Sequence, residues 1–132
     1  MKLLLDTHVW FWAAVRPDSL SGPAAEAIAD PANQLGLSAI TLWELLVLAR
    51  NGRIDLGADR QAWVRKHIVE SPIPKDTFPL TLAIAARGEH LPDYENPDPA
   101  DRFLAATALE HDLTLVTADR SLREYGRLRT LW

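Results

Sequence analysis

The sequence predicts an α/β domain with a parallel sheet and helices on both of its faces. Apolar runs of strand length alternate with helical patterns, and the segments Lys2–Leu5, Gln34–Ser38 and Leu113–Thr117 are typical of buried strands. Strands that alternate with helices in this way pair in parallel. The proline-flanked segment Pro72-Ile73-Pro74 allows only an edge strand or an extended connection. Because the 132 residues are 48% hydrophobic, we expect a single domain, residues 1–132, with one core.

Helices are predicted from apolar periodicity and from the residues that begin or end helices. One helix starts at Ser21-Gly22-Pro23, with Ser21 as its cap, and Asp30-Pro31 ends it. Asn51-Gly52 and Gly88 are expected to end two others. The predicted helices cover residues 8–15, 22–29, 40–50, 60–70, 80–87, 100–110 and 121–125, and residues 128–131 are expected to form a last strand.

Composition and charge exclude several classes of protein. No apolar run approaches the roughly 20 residues of a membrane-spanning helix, and Leu3-Leu4-Leu5 is too short for a signal peptide, so we expect a cytoplasmic protein. Because cysteine is absent and the four histidines are scattered, a metal site must be built mainly from oxygen ligands. The net charge of −4 excludes a globally basic nucleic-acid binder. A local basic patch remains open, since the last thirteen residues hold Arg120, Arg123, Arg127 and Arg129.

Acidic residues follow two of the predicted strands and lie within or at the start of two helices, near the edge where open parallel sheets bind ligands. Carboxylates gathered at one edge repel one another until protons or cations neutralise them. Oxygen donors without cysteine favour Mg²⁺, with Mn²⁺ as the alternative. The acids in these positions are Asp6, Glu44, Asp98, Asp101 and Asp119.

Each of these acids also has a structural explanation. Asp6, Asp98 and Asp119 can each cap the helix that follows, and Thr41 with Glu44 matches a capping box. Ser38 is the better cap for the helix 40–50, which leaves Glu44 inside that helix and in need of a partner if its face is buried. The residues by themselves leave capping and metal binding both open.

Four segments, taken together and in order, resemble PIN-domain proteins and, more narrowly, the VapC-type toxins of bacterial toxin–antitoxin pairs. The resemblance covers the whole chain. It implies a PIN-like three-layer α/β/α fold whose five-stranded parallel sheet has the order 3-2-1-4-5. The segments are Leu4–His8, Leu37–Leu45, Asp98–Ala108 and Leu115–Asp119.

The resemblance also implies that the protein is a Mg²⁺-dependent endoribonuclease that acts on RNA. The partners that it implies are a cognate antitoxin, which blocks the cleft, and a second copy of the chain in a homodimer. Arg102 follows the third acid of the pattern and is the first candidate for a phosphate contact. Asn96 departs from the histidine that relatives often carry at its position. Carried over by position, the catalytic metal ligands are Asp6, Glu44, Asp101 and Asp119, with Asp98 as an assisting acid. From their place near the same edge, the hydroxyls of Thr7 and Thr117 are further candidates to assist by orienting a carboxylate or a metal-bound water.

Two other functions stay open at this point. A receiver-like signalling domain would need two adjacent acids and a lysine after the last strand, whereas this chain offers Asp6 alone and Asp119-Arg120. A catalytically inert PIN-like binding module would keep the fold without the chemistry. A titration with Mg²⁺ or Mn²⁺ distinguishes the inert module from the enzyme.

Overall fold

Five parallel strands form a single sheet in the order β3-β2-β1-β4-β5, which confirms the predicted fold class. The structure is a computed structural model that describes residues 1–71, 73–74 and 76–132. Helices connect consecutive strands and lie on both faces of the sheet, as parallel pairing requires. The strands are β1 (Lys2–Leu5), β2 (Gln34–Ser38), β3 (Asp76–Phe78), β4 (Thr114–Val116) and β5 (Arg129–Leu131).

The α-helices begin where the side chain of a capping residue accepts a hydrogen bond from the first turn. Ser38 caps its helix through Ile40 N–H at 3.2 Å, which confirms Ser38 rather than Thr41 as the cap. None of the helices in the described residues is long and apolar enough to cross a bilayer. The helices are α1 (Thr7–Val15), α2 (Gly22–Ala29), α3 (Ala39–Arg50), α4 (Arg60–Val64), α5 (Leu82–Glu89), α6 (Pro99–Glu110) and α7 (Arg120–Glu124).

The alternation of side chains along β1 divides the hydrophobic core between the two faces of the sheet. Leu3 and Leu5 pack on one face with α1, α2 and α3. Leu4 packs on the other face, against α6 and α7. All three leucines are at most 1% exposed, and burial of each contributes roughly 1.5–3 kcal/mol. The sheet is therefore covered on both sides, and its carboxyl edge is left for function.

The third strand lies at Asp76–Phe78, after the segment 72–74 for which the sequence allowed an edge strand or an extended connection. Ile73 and Pro74 are not in a strand, and Pro72 lies outside the described residues. The strand pairs through Gly36↔Asp76 and Ser38↔Phe78. A Cβ atom at Gly36 would lie 2.5 Å from the Phe78 ring, so a glycine permits this close approach.

Two helices also differ from their predicted form. Residues 60–70 form α4 followed by a π-helical turn, Arg65–Val69, instead of one α-helix. The helix predicted for 80–87 begins at Leu82, because Thr81 caps it, and it continues through Gly88. Gly88 is buried against Phe103 of α6, where an added Cβ would lie 3.0 Å from the Phe103 ring. Gly88 therefore allows two helices to pack closely and does not end one.

Candidate active site

Asp6 and Thr117 lie side by side at the carboxyl edge, because Leu5 of β1 pairs with Val116 of β4. The Thr117 hydroxyl donates a hydrogen bond of 2.6 Å to Asp6 Oδ2. Thr7 N–H donates another of 2.6 Å to Asp6 Oδ1, which makes Asp6 the cap of α1. Asp6 is only 8% exposed, so both oxygens of a buried carboxylate are held in fixed directions.

Thr117 also connects Asp6 to Asp119. The backbone N–H of Asp119 donates to Thr117 Oγ1 at 3.0 Å, so this hydroxyl accepts from one acid's backbone while it donates to the other acid. Asp119 caps α7, and its Oδ1 accepts from Ser121 Oγ at 2.7 Å and from Leu122 N–H at 3.1 Å. These bonds orient Oδ1 of Asp119 toward α7.

Three further acids meet at the same edge from two different helices. Glu44 of α3 and Asp98 and Asp101 of α6 each offer a carboxylate oxygen, and the three oxygens lie within 4.8 Å of one another. Asp98 also caps α6 by accepting from Asp101 N–H at 3.0 Å. Asp98 therefore both caps a helix and belongs to the cluster, so the two roles that the sequence presented as alternatives occur together in this residue.

Three of the acids at this edge, Asp6, Glu44 and Asp101, have raised pKa values. The pKa of Asp101 is raised to about 7, mainly by burial. The negative charges of the neighbouring acids raise it further, in the order Asp98, Asp119, Asp6 and Glu44. Burial also raises the pKa of Asp6, although the hydrogen bonds from Thr117 and Thr7 oppose this. Glu44 has a raised pKa as well, mainly through burial and then through Asp6 and Asp98.

None of the five edge acids has an ion-pair partner within residues 1–71, 73–74 and 76–132, although the charge of His8 lowers the pKa values of Asp6 and Glu44. The ion pairs there join other acids, on the surface, to arginines. Asp6 is buried and Glu44 and Asp101 are half-buried, so their ionised forms are unfavourable without a close cationic partner, and protonation or a bound cation relieves them. The oxygens of Glu44, Asp98 and Asp101 are close enough to surround one small divalent ion.

Arg102 follows Asp101 but uses its guanidinium within the protein. Its Nε donates to Gly88 O at 2.8 Å, and one terminal nitrogen donates to Tyr94 O at 3.0 Å and Asn96 O at 2.9 Å. The other terminal nitrogen donates to Glu89 O at 3.2 Å. Four of its five N–H donors thus hold the loop before α6 to the end of α5, and the expected phosphate contact stays a prediction.

Asn96, Ser121 and Tyr94 also belong to the site, and of these the sequence interpretation noted Asn96 alone. Asn96 Nδ2 lies 3.0 Å from both Asp101 Oδ2 and Ser121 Oγ, and 3.3 Å from the Tyr94 hydroxyl. Asn96 Oδ1 accepts from Asp98 N–H at 3.0 Å. The sequence signal for Asn96 was its position, because it places a polar amide two residues before the helix start at Asp98-Pro99.

The comparisons with known proteins agree with this geometry. Residues 3–128 match the model of the PIN domain family. The chain belongs to that family. It is also 38% identical over 135 residues to ribonuclease VapC22 of Mycobacterium tuberculosis, and the match covers 98% of each chain.

Solved structures show the same fold at low sequence identity. A Rickettsia felis VapBC2 structure, determined with a DNA fragment from its promoter, matches with a TM-score of 0.70 and 14% identity, over 98% of this chain and 97% of that one. The Mycobacterium tuberculosis toxin VapC20, described as cleaving the sarcin-ricin loop, matches with a TM-score of 0.67 and 17% identity, over 96% and 98% of the two chains.

Membership of the PIN family confirms the resemblance that the sequence motifs carried. It also excludes the receiver-like signalling domain, because receiver domains form a different family. The inert binding module stays open, because a family member can keep this fold whether or not its acids bind a metal.

Proposed function

We propose that this protein is a Mg²⁺-dependent endoribonuclease that acts as the toxin of a toxin–antitoxin pair, with Mn²⁺ as an alternative ion. The observation that carries the proposal is the meeting of Glu44, Asp98 and Asp101 within 4.8 Å at the carboxyl edge of a PIN-family sheet. The 38% identity to a ribonuclease supports RNA as the substrate.

In this proposal the metal ligands are Asp6, Glu44, Asp101 and Asp119. The donor set fits Mg²⁺ or Mn²⁺, because all four are hard carboxylate oxygens, and Asp101 has a pKa of about 7 that a nearby cation would lower. Asp98 assists by adding a carboxylate to the Glu44–Asp101 group and by fixing the start of α6. The cation compensates the repulsion that folding imposes on these acids.

When bound, a divalent cation lowers the pKa of an attacking water and offsets the charge that develops on the phosphate oxygens. The chain supplies the positioning. Thr117 and Thr7 N–H hold the two Asp6 oxygens, Ser121 holds Asp119, and Asn96 holds Asp101. Since the acids repel an RNA backbone, substrate binding also depends on the cation.

Cleavage assays with purified protein and a structured RNA test the proposal. We expect cleavage with Mg²⁺ or Mn²⁺, none in the presence of EDTA, and none with Asp6→Asn. Asp18→Asn is the matched control, because Asp18 is an exposed acid of the Pro17–Ser19 turn, away from the site. Cleavage by Asp6→Asn at the wild-type rate would refute the assignment.

A calorimetric titration with Mn²⁺ decides between the enzyme and the inert module. The enzyme should bind Mn²⁺, and Asp101→Asn should bind it more weakly by about tenfold or more. A wild-type protein that takes up neither Mn²⁺ nor Mg²⁺ would favour the inert module.

The toxin role adds two partners and a location to the proposal: a cognate antitoxin that covers the acidic edge, a second copy in a homodimer, and the cytoplasm. The solved structures that share this fold include toxin–antitoxin complexes, which supports the antitoxin. Expression of the chain alone should stop growth, and co-expression of the antitoxin should restore it. Sedimentation of the purified chain measures the oligomeric state directly.

A further inference from the structure

A cavity of about 490 Å³ lies beside the acidic edge. One wall is the loop before α6, with Tyr94, Glu95 and Asn96, and the other includes Ser121 and Tyr125. Asn96 and Ser121 each hydrogen-bond to an acid of the site, Asp101 and Asp119 respectively. The cavity therefore adjoins the place where the proposed reaction occurs.

The size and the walls of the cavity suit a nucleoside. Pockets for small ligands have volumes of roughly 300–1,000 Å³, so 490 Å³ has room for one base with its ribose. Tyr94 and Tyr125 also line the cavity, but they are only 7% and 6% exposed and pack against each other with their centroids 4.9 Å apart. They therefore form a firm apolar part of the wall, and a base splayed out of a single-stranded RNA loop would be held here by fit and by hydrogen bonds rather than by stacking.

The charges around the cavity indicate which part of a nucleotide enters it. Three carboxylates, Asp93, Glu95 and Glu124, line it together with one cation, Arg127. Arg127 lies 3.7 Å from Asp93 Oδ2, and Arg120 donates to Glu124 Oε1 at 2.6 Å, so in the described part of the chain Glu95 is the lining carboxylate without an ion-pair partner. The lining therefore has no surplus of cations to attract a phosphate, whereas carboxylates accept hydrogen bonds from base N–H groups and ribose hydroxyls.

We propose that this cavity binds the base and ribose of the RNA nucleotide next to the scissile phosphate, while the phosphate itself stays at the acidic edge. The proposal rests on the proposed ribonuclease function and gives it a subsite that selects where RNA is cut. Residues Glu95 and Asn96 of the loop face this nucleotide from one side, and Arg127 lies at the other.

Gly126 offers a way to fill the cavity without strain. It lines the cavity, and a Cβ atom there would meet no other heavy atom within 4 Å. Gly126→Leu should therefore place a side chain into open space beside the binding site. Gly22→Leu is the matched control, because a Cβ at Gly22 also meets nothing within 4 Å and Gly22 begins α2, outside the cavity.

The test is an NMR titration of the protein with adenosine, guanosine, cytidine and uridine in metal-free buffer. Nucleosides have no phosphodiester and need no metal, so their binding is independent of cleavage. We expect at least one nucleoside to shift the amide signals of residues 93–96 and 126–127. Gly126→Leu should raise the Kd of that nucleoside by about tenfold or more, and Gly22→Leu should leave it unchanged.

The outcomes separate this inference from the proposed function. Wild-type protein that cleaves RNA but shows no shifts at these residues, or shifts elsewhere, overturns the subsite and leaves the ribonuclease standing. Protein that binds nucleosides here but neither cleaves RNA nor binds Mn²⁺ overturns the ribonuclease and leaves the cavity as a nucleoside site. Equal nucleoside affinity in Gly126→Leu and wild type, with both folded by thermal unfolding, also overturns the subsite. Gly126→Ala provides a milder variant should the leucine impair folding.

Discussion

Charged residues occupy two contrasting settings in this molecule. On the surface, acids and arginines form close pairs, and each paired side chain is at least 38% exposed. At the carboxyl edge of the sheet, acids meet other acids, and the described residues provide them with no ion-pair partner. The surface pairs are Arg87–Glu110, Arg120–Glu124, Arg127–Asp93 and Arg129–Asp112, and the edge acids are Asp6, Glu44, Asp98, Asp101 and Asp119.

The contrast shows where charge contributes to function and where it has little effect. Water screens the exposed pairs, so each adds at most a modest amount to stability. At the edge, burial and neighbouring acids raise the pKa of Asp101 to about 7, which means that the ionised site opposes folding at neutral pH. A site that lowers stability in this way is typical of a functional constraint.

Asp101→Asn should have the largest effect of the changes considered. We expect RNA cleavage to fall by more than about 100-fold, because even partners of metal ligands contribute ~10–100-fold. The metal-free variant should also unfold at a higher temperature than wild type at pH 8, since a neutral amide replaces a charge that four other acids repel. Thermal unfolding and initial cleavage rates measure the two effects.

Asp18→Asn is the control for this prediction, because the same substitution is made at an exposed acid outside the cluster. It should leave both the unfolding temperature and the cleavage rate near wild type. A metal-free Asp101→Asn protein that is less stable than wild type at pH 8 would contradict the picture of mutual repulsion.

Arg102→Lys should destabilise the protein by about 2–4 kcal/mol. A lysine ammonium cannot reach all four carbonyls that Arg102 binds, and hydrogen bonds to charged groups contribute ~1.5–3 kcal/mol each. Arg53→Lys, at an exposed arginine, should change the free energy of unfolding by less than about 0.5 kcal/mol. Unchanged stability with a raised KM for RNA would instead make Arg102 a substrate contact.

The metal-free protein should lose stability as pH rises through the window set by Asp101. Below its ordinary pKa of 3.8 the carboxyl is protonated in both the folded and the unfolded protein, and between 3.8 and about 7 the folded protein alone retains the proton. The stabilisation by that proton is therefore lost as pH approaches 7. Mn²⁺ competes with the same proton. The affinity of the protein for Mn²⁺ should therefore rise by up to about tenfold for each unit by which pH increases toward 7.

Unfolding temperatures from pH 4 to 8.5, without metal, check this prediction. The difference between wild type and Asp101→Asn should grow with pH up to about 7 and then level off. A constant difference across this range would show that the Asp101 pKa is not raised by folding.

Asn96→Leu should reduce cleavage by about tenfold, because the hydrogen bond from Asn96 to Asp101 orients that carboxylate. Asn96→His, which restores an N–H donor, should recover most of the loss, and Mn²⁺ affinity should follow the same order. Asn51→Leu, at the exposed C-cap of α3, is the control. An equal loss in Asn96→Leu and Asn96→His, without any change in Mn²⁺ affinity, would argue against positioning.

Local pattern was sufficient to predict much of this fold. Apolar runs located β1, β2 and β4, and capping residues located the starts of α2, α3 and α6 within one residue. The strand β3 was missed because Asp76-Thr77-Phe78 has no apolar run, and its place depends on the close approach of Phe78 to Gly36. That contact joins residues far apart in the chain, so no local pattern shows it.

Four acids of the candidate site could be selected from sequence because they follow a strand or begin a helix, and Glu44 because it lies inside the mostly apolar helix α3. Their hydrogen-bond partners could not. Asn96 and Ser121 meet only because the loop before α6 lies against α7, which is 25 positions away along the chain. The direction of the Arg102 side chain depends in the same way on the end of α5. The sequence was sufficient to select the candidate residues, whereas their hydrogen-bond partners could be identified only in the folded chain.

Glu110→Gln should have the smallest effect, and it sharpens the contrast between the two settings of charge. Glu110 accepts from Arg87 at 2.8 Å, as short as a strong ion pair, yet the two side chains are 38% and 43% exposed. We expect the free energy of unfolding to change by only about 0.2–1 kcal/mol, and by less at 1 M salt, because water and ions screen the pair. Urea unfolding at low and high salt measures this. A larger, salt-insensitive loss would contradict the view that water and ions screen the surface pairs.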